Sequence, residues 1–232
     1  LNFTRDELQH LLGEHRKRWE AMLDDCQQRG YEVKRFSLHA ASRVVVGLGA
    51  ESVLETSIRL HRVYGFPILP GSALKGLARS YALWQVAKEL GVPVLSLEEL
   101  LATPSTAAVR YMELSIVEKK VKPLRDAFGT TASAGKVIFF DAVPANPAKL
   151  VLDLDVMNPH YSQYYQGGGT PPADYLNPVP IFFLTIAPGS EFLFAAASKD
   201  GNLAQKVQMW LQTALCETGV GAKTTAGYGL WR

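Results

Sequence analysis

The stretch "FPILPGSALKGLARSYA", residues 66–82, decides how the rest of the chain is read. Pro70-Gly71 makes a turn, Ser72 takes the N-cap position, and Leu74, Leu77, Ala78, Tyr81, Leu83 and Trp84 recur at helical intervals until Gly91. The first amides of such a helix have no partner within it, and the helix dipole favours an anion there. Lys75 and Arg79, spaced i and i+4, share one face a turn further on. Taken alone, this is an ordinary helix start more often than a binding site.

Working outward, residues 4–29 read as a helix, with Thr4 and Glu7 at capping-box spacing and Leu8, Leu11, Leu12, Trp19, Met22, Leu23 and Cys26 in helical register up to Gly30. Phe36, Leu38 and Ala40, then Val44–Val46, suggest a strand ended by Gly47 and Gly49. "VLETSIRLHRVYGFPILPG" suggests an extended segment or hairpin arm, and Arg43, Arg59, His61 and Arg62 fall in this region. A short helix is predicted at Leu97–Leu101, and "VEKKVKPLRDAFG" reads as irregular, so residues 92–135 look like a partly mobile insertion. Two strands around a Pro/Asn turn are predicted from Val137–Phe140 and Leu150–Val156. "VPIFFLTIAPGSEFLFAAAS" reads as a hairpin turning at Pro188-Gly189, "NLAQKVQMWLQTALCETG" as an amphipathic helix, and "GYGLW" as a short last strand. The irregular alternation favours an α+β domain with an antiparallel sheet, built on a βαββαβ core, over a doubly wound sheet.

Composition sets limits without naming a function. The 232 residues are 47% hydrophobic, enough for a packed core, and 24 basic residues against 22 acidic ones give a formal charge of +2. Any nucleic-acid role therefore needs a local basic patch. Cys26 and Cys216 lie in predicted helices without metal-ligand spacing and read as buried thiols in a reducing cytosol. Neither a signal peptide nor a long apolar run is evident, so no membrane partner and a cytoplasmic location are expected.

The glycine-rich "TGVGAKTTAGYGLWR", residues 218–232, superficially suggests a phosphate loop. Its spacing is wrong, because Ala222 separates Gly221 from Lys223 and no helix follows. A dinucleotide fingerprint fails for the same lack of a following helix. His10, His15, His39, His61 and His160 show no HxxxH or HExxH pattern, and Asp141, Asp153 and Asp155 read as polar strand-end residues rather than metal ligands. Neither a metal nor a cofactor is expected. Residues 157–178 carry four tyrosines, three consecutive glycines and several prolines, the mark of a functional or disordered loop.

Together the two stretches resemble the RAMP superfamily of CRISPR effector proteins. Its members carry a PGSSLKG-like turn-helix, matched by Pro70, Gly71, Ser72, Leu74, Lys75 and Gly76. They also carry a loop of form GxGxxxxxGxG, matched by Gly219, Gly221, Gly227 and Gly229. Ala73 stands where many relatives have a second serine. "GKVIFFDAVP", "DVMNPHYSQYY" and "NPVPIFFLTI", in this order, narrow the resemblance to the sixth-subunit family of the type III-B (Cmr) effector complex, over residues 36–232.

The resemblance implies one ferredoxin-like, RRM-like domain over residues 1–232, with a helical extension at 1–35, the insertion at 92–135 and a thumb-like loop at 155–178. It implies a non-catalytic subunit that holds the 3′ side of a CRISPR guide RNA, meets target RNA and docks on other Cmr subunits. The expected RNA-binding residues are Arg43, Ser72, Lys75, Arg79, His160, Tyr161, Gly219, Gly221, Lys223, Thr224, Thr225 and Gly227. Loop amides and cations contact phosphates without reading sequence. Tyr161, Tyr164 and Tyr165 either stack on displaced bases or pack on a neighbouring subunit. The rival readings are a RAMP-type endoribonuclease processing CRISPR precursor RNA with His39 or His160 as general acid or base, and a purely structural scaffold.

Overall fold

The computed structural model describes residues 5–50, 56–102, 114–146, 149–161 and 177–232, with single positions 164, 167, 171 and 173. In chain order the elements are α1 (Arg5–Gln28), β1 (Glu32–His39), α2 (Gly71–Leu90), α3 (Val94–Ala102), α4 (Leu114–Phe128), β2 (Val137–Phe139), β3 (Val143–Pro144), β4 (Leu152–Met157), β5 (Ile181–Ile186), β6 (Glu191–Ser198) and α5 (Gly201–Glu217). The molecule is mixed α and β with antiparallel sheets and an N-terminal helix.

Strand β6 is the centre of the main sheet, antiparallel to β1 on one edge and to β2 and β3 on the other. Its residues alternate between two cores, as a strand's period of two requires. Phe192, Phe194 and Ala196 face α2, α4 and α5, where Leu74, Ala78, Val121, Leu124, Val207 and Leu211 are buried. Ala195 and Ala197 face α1, against Trp19 and Leu23. The sheet is thus sandwiched, which is why "FLFAAAS" lacks a polar face. Phe36 pairs with Phe194 in the register and stacks on it at 5.2 Å.

Several sequence expectations change here. Segment 114–128 is a helix rather than irregular, because Val117, Val121, Leu124, Ala127 and Phe128 fall on one buried stripe. Pro123 sits within it, and the carbonyl that loses its partner belongs to the exposed Lys119. The Pro188-Gly189 turn forms, with Gly189 at φ 86, yet no hairpin follows. Both edges of β6 are already taken, so β5 pairs with β4 in a second, two-stranded sheet. Val44 joins that sheet through reciprocal bonds with Ile186 at 3.0 and 2.8 Å. Cys216 is exposed and Cys26 half-buried, and both are free thiols.

The predicted last strand is a two-residue bridge. His39 and Arg232 exchange backbone bonds of 2.9 Å each, and Trp231 pairs with Ala40 along the free edge of β1. Helix α1 ends at Gly30 (φ 81) and α2 at Gly91 (φ 66), as predicted. Thr4 lies outside the described residues. Among the described residues no helix is long and apolar enough to cross a membrane.

Candidate nucleic-acid interface

The glycine loop has a pinned base and an exposed tip. Helix α5 closes with Thr218 and Gly219 both donating to Ala214 O, and Gly219 turns left-handed at φ 78. Val220 N then donates to Gly229 O at 2.9 Å, Ala222 N to Val45 O at 2.8 Å, Gly229 N to Arg43 O at 2.8 Å and Leu230 N to Ser42 Oγ at 3.0 Å. A Cβ on Gly221 would run into the Val45 carbonyl, one on Gly229 into the Val220 carbonyl, and one on Gly219 would lie 2.8 Å from Gly229 C. These three glycines therefore admit the protein's own backbone rather than a ligand's. Gly227 has open space around it and needs glycine only for φ 89.

The tip runs from Lys223 through a 3₁₀ turn, Thr224–Ala226. Lys223 is the one non-glycine residue with positive φ among the described residues, at 60°. For an L-residue that conformation costs roughly 1–2 kcal/mol. Ala226 N and Tyr228 N bond back to Lys223 O, and Gly227 N to Thr224 O. Among the described residues the amides of Lys223, Thr224 and Thr225 have no protein acceptor. The Lys223 amine lies 5.5 Å from the centre of the buried Phe183 ring, a cation–π contact that orients it without neutralising it.

Beneath the tip, β4 and β5 turn Asp153, Asp155 and Phe183 toward the loop. Tyr228 Oη donates to Asp155 Oδ2 at 2.6 Å, and Arg43 lies 3.5 Å from Asp155 and 3.9 Å from Asp153. The Tyr228 hydroxyl, then the Val156 amide at 2.8 Å, hold the Asp155 carboxyl below its ordinary value, with smaller help from Arg43 and Lys223. The same bond raises the Tyr228 phenol. Arg43 therefore braces the loop against β4, with its charge balanced by carboxylates.

At the start of α2 the N-cap is Pro70 rather than Ser72. Gly71 N donates to Asp141 Oδ1 at 2.7 Å, so the anion favoured at this helix start is the protein's own carboxylate. A Cβ on Gly71 would strike the Phe139 carbonyl, which explains the glycine. Ser72 is exposed on the first turn, Lys75 is half-buried with no ion pair among the described residues, and Arg79 is paired with Glu98 at 2.9 Å. Asp141 also accepts the Trp19 Nε1 proton on its backbone oxygen at 3.0 Å, so it ties α1 to α2.

The two motif stretches meet through a backbone ladder. Ala222 bonds Val45, the next residue Val46 accepts from Arg59 N at 2.6 Å, Arg59 O accepts from Ile68 N at 3.1 Å, and Leu69 exchanges bonds with Ala142 just before α2. Gly219, Gly221, Lys223, Thr224, Thr225 and Gly227 thus share one loop, with Arg43 below it and Ser72 and Lys75 at the ladder's far end. His160 is exposed and Tyr161 half-buried, their rings 6.2 Å apart on the segment after β4. Tyr164 is exposed, and Tyr165 lies outside the described residues. His39 faces Glu191 at 3.9 Å across the β1–β6 pair. Among the described residues no group of three or more His, Cys, Asp or Glu side chains is placed to hold a metal. Sequence reasoning did not single out Tyr228 and Phe183, whose roles depend on the long-range contact between the loop and β4–β5.

A family model described as the RAMP superfamily matches residues 37–232. The chain is 40% identical to the CRISPR system Cmr subunit Cmr6 of Pyrococcus furiosus, over 83% of this chain and 68% of that protein. It is 22% identical to the CRISPR system CMR subunit Cmr6 of Saccharolobus solfataricus, over 87% of this chain and 58% of that protein. The crystal structure of Cmr6 from Pyrococcus furiosus superposes with a TM-score of 0.59 at 34% identity, covering 87% of this chain and 97% of that one. A chain in the cryo-EM structure of the Type III-B Cmr-beta bound to cognate target RNA shares the fold, with a TM-score of 0.68 at 21% identity, over 94% of this chain and 64% of that one. With the family match running from Ser37 to Arg232, and with that identity to the Pyrococcus protein, the chain belongs to the RAMP superfamily and to the Cmr6 family within it.

Proposed function

We propose that this chain is a non-catalytic, RNA-binding subunit of a type III-B CRISPR effector complex in the cytoplasm. It holds the 3′ side of the guide RNA through phosphate and 2′-hydroxyl contacts, and it docks on neighbouring subunits in an assembly that meets target RNA. The observation that carries this reading is the loop tip: three free amides and an unneutralised lysine on a base that its own backbone makes rigid. Such donors hold a phosphate without reading a base, which suits a guide of any sequence. The names of the related proteins support the assembly.

The strand order supports a ferredoxin-like βαββαβ core. The tail lies beside β1, β1 beside β6 and β6 beside β2, with α2 on the path from β1 to β2 and α5 on the path from β6 to the tail. Docking on protein neighbours is supported by the outer face of β4–β5, where Leu152, Leu154, Val156, Phe182 and Leu184 are all exposed.

The test removes the two lysines of the motif stretches, neither of which makes an ion pair among the described residues. Lys75→Ala with Lys223→Ala is expected to weaken guide-RNA retention and to make log K against log salt shallower by about 1.4, at roughly 0.7 per single-strand phosphate contact. Binding unchanged at matched salt counts against the reading. The purified chain is also expected to leave repeat RNA intact without metal. Cleavage that disappears with His39→Ala or His160→Ala would replace this reading with a nuclease.

A further inference from the structure

We infer that Arg59 is a further contact for the RNA backbone, joining the glycine-loop tip and Lys75 into one cationic track; this rests on the RNA-holding reading above. Of the two arginines expected to bind RNA, Arg43 is balanced by Asp153 and Asp155, and Arg79 by Glu98. Arg59 differs. It is exposed, and among the described residues its guanidinium has no carboxylate partner and no hydrogen bond.

Its position is fixed by backbone rather than by its side chain. Arg59 N donates to Val46 O at 2.6 Å and Arg59 O accepts from Ile68 N at 3.1 Å, while the neighbouring Val45 O accepts from Ala222 N. Two strand-to-strand steps of about 5 Å each therefore separate Arg59 from the base of the glycine loop. On its other side, Ile68 leads through Leu69 and Pro70 into the first turn of α2, toward Lys75. Gly47, at φ 85, faces the Arg59 stem; a Cβ there would lie 3.4 Å from both Arg59 Cβ and Arg59 N. That is ordinary contact distance, so the glycine is required by its left-handed φ, which turns the chain beside Arg59.

An exposed guanidinium with no partner among the described residues, on the backbone ladder that runs from the loop of Lys223 to the helix of Lys75, suits a phosphate, which it can grip through two parallel N–H donors. Such a contact adds affinity and salt dependence without sequence preference. It also gives the chain a track from Lys223 through Arg59 to Lys75 instead of two separate patches.

The experiment titrates the full chain with fluorescein-labelled single-stranded RNA over a range of salt, following anisotropy. Arg59→Ala is expected to weaken binding about tenfold at low salt and to make the salt slope shallower by about 0.7. Arg59→Lys should keep the slope but recover only part of the affinity. Because the backbone ladder holds this position, Arg59→Gln should melt with the wild type, and it checks that the loss is not one of folding. Affinity and slope of Arg59→Ala equal to wild type, while Lys223→Ala lowers both, overturn the Arg59 contact and leave the RNA-holding reading intact. If the wild-type chain binds no RNA, or Lys75→Ala with Lys223→Ala changes nothing, the RNA-holding reading falls and the track falls with it.

Discussion

Lys223 holds a left-handed conformation that glycine would adopt freely, and it sits between Gly221 and Gly227, whose φ values are also positive. A residue kept under strain at an exposed tip is a hypothesis of function. Lys223→Gly is therefore expected to stabilise the fold by about 1 kcal/mol, raising the melting temperature by roughly 2–4 °C, while RNA binding falls. A variant that melts lower and binds as well would make the lysine a structural residue. The glycines of this loop were legible in the sequence because left-handed φ values and close backbone approaches leave a spaced glycine pattern. The state of the cations was not legible. Arg43 meets Asp153 and Asp155 only after the β4–β5 sheet folds against the loop, and Arg79 meets Glu98 only across the α2–α3 turn. Arg59, which spacing did not single out, has no ion pair among the described residues.

At the scale of elements, α1 is tied to the turn after Arg59 by an aromatic cluster. The His15 ring meets His61 at 4.7 Å, Phe66 at 4.8 Å and Tyr64 at 5.3 Å, and Arg18 bonds the Tyr64 hydroxyl. His61 Nδ1 accepts the amides of Val63 and Tyr64 at 3.2 Å each, which requires that nitrogen to be unprotonated. Burial lowers both histidines from 6.5, and His61 and Arg18 lower His15 further, against a weaker pull from Asp141. Below about pH 6.5 the unfolded chain then binds more protons than the folded one, so stability falls as pH drops through and below that value. The protection factors for amide exchange in α1, corrected for the intrinsic rate at each pH, are expected to fall from about pH 7.5 to 5, and His15→Phe should flatten the trend; an unchanged slope in that variant would discard the mechanism. Helices α1, α2 and α5 were legible from apolar period and end signals. Helix α4 was not, because Pro123 and four lysines and arginines mask its buried stripe. The missing hairpin at Gly189 depended on which edges of β6 were free, and strand partners are chosen by the whole sheet.

For the whole molecule, near-neutral charge and RNA binding are compatible only if the binding surface is small. Among the described residues, twelve lysine or arginine contacts with carboxylates hold many of the charged side chains in internal partnerships, while Lys223, Arg59 and Lys75, along the backbone ladder, make none. Three phosphate contacts on a single strand give a slope of log K against log salt of about −2. A general basic surface would give a much steeper one, and a base-reading pocket would give a shallow slope with a marked preference among sequences. The isolated chain is therefore expected to bind unrelated single-stranded RNAs with similar affinity and with a slope near that value, measured by anisotropy between low and physiological salt. A slope near −5 would place the contact outside the track. A strong preference for one sequence would mean that side chains beyond the loop and ladder, such as the tyrosines after β4, read bases directly.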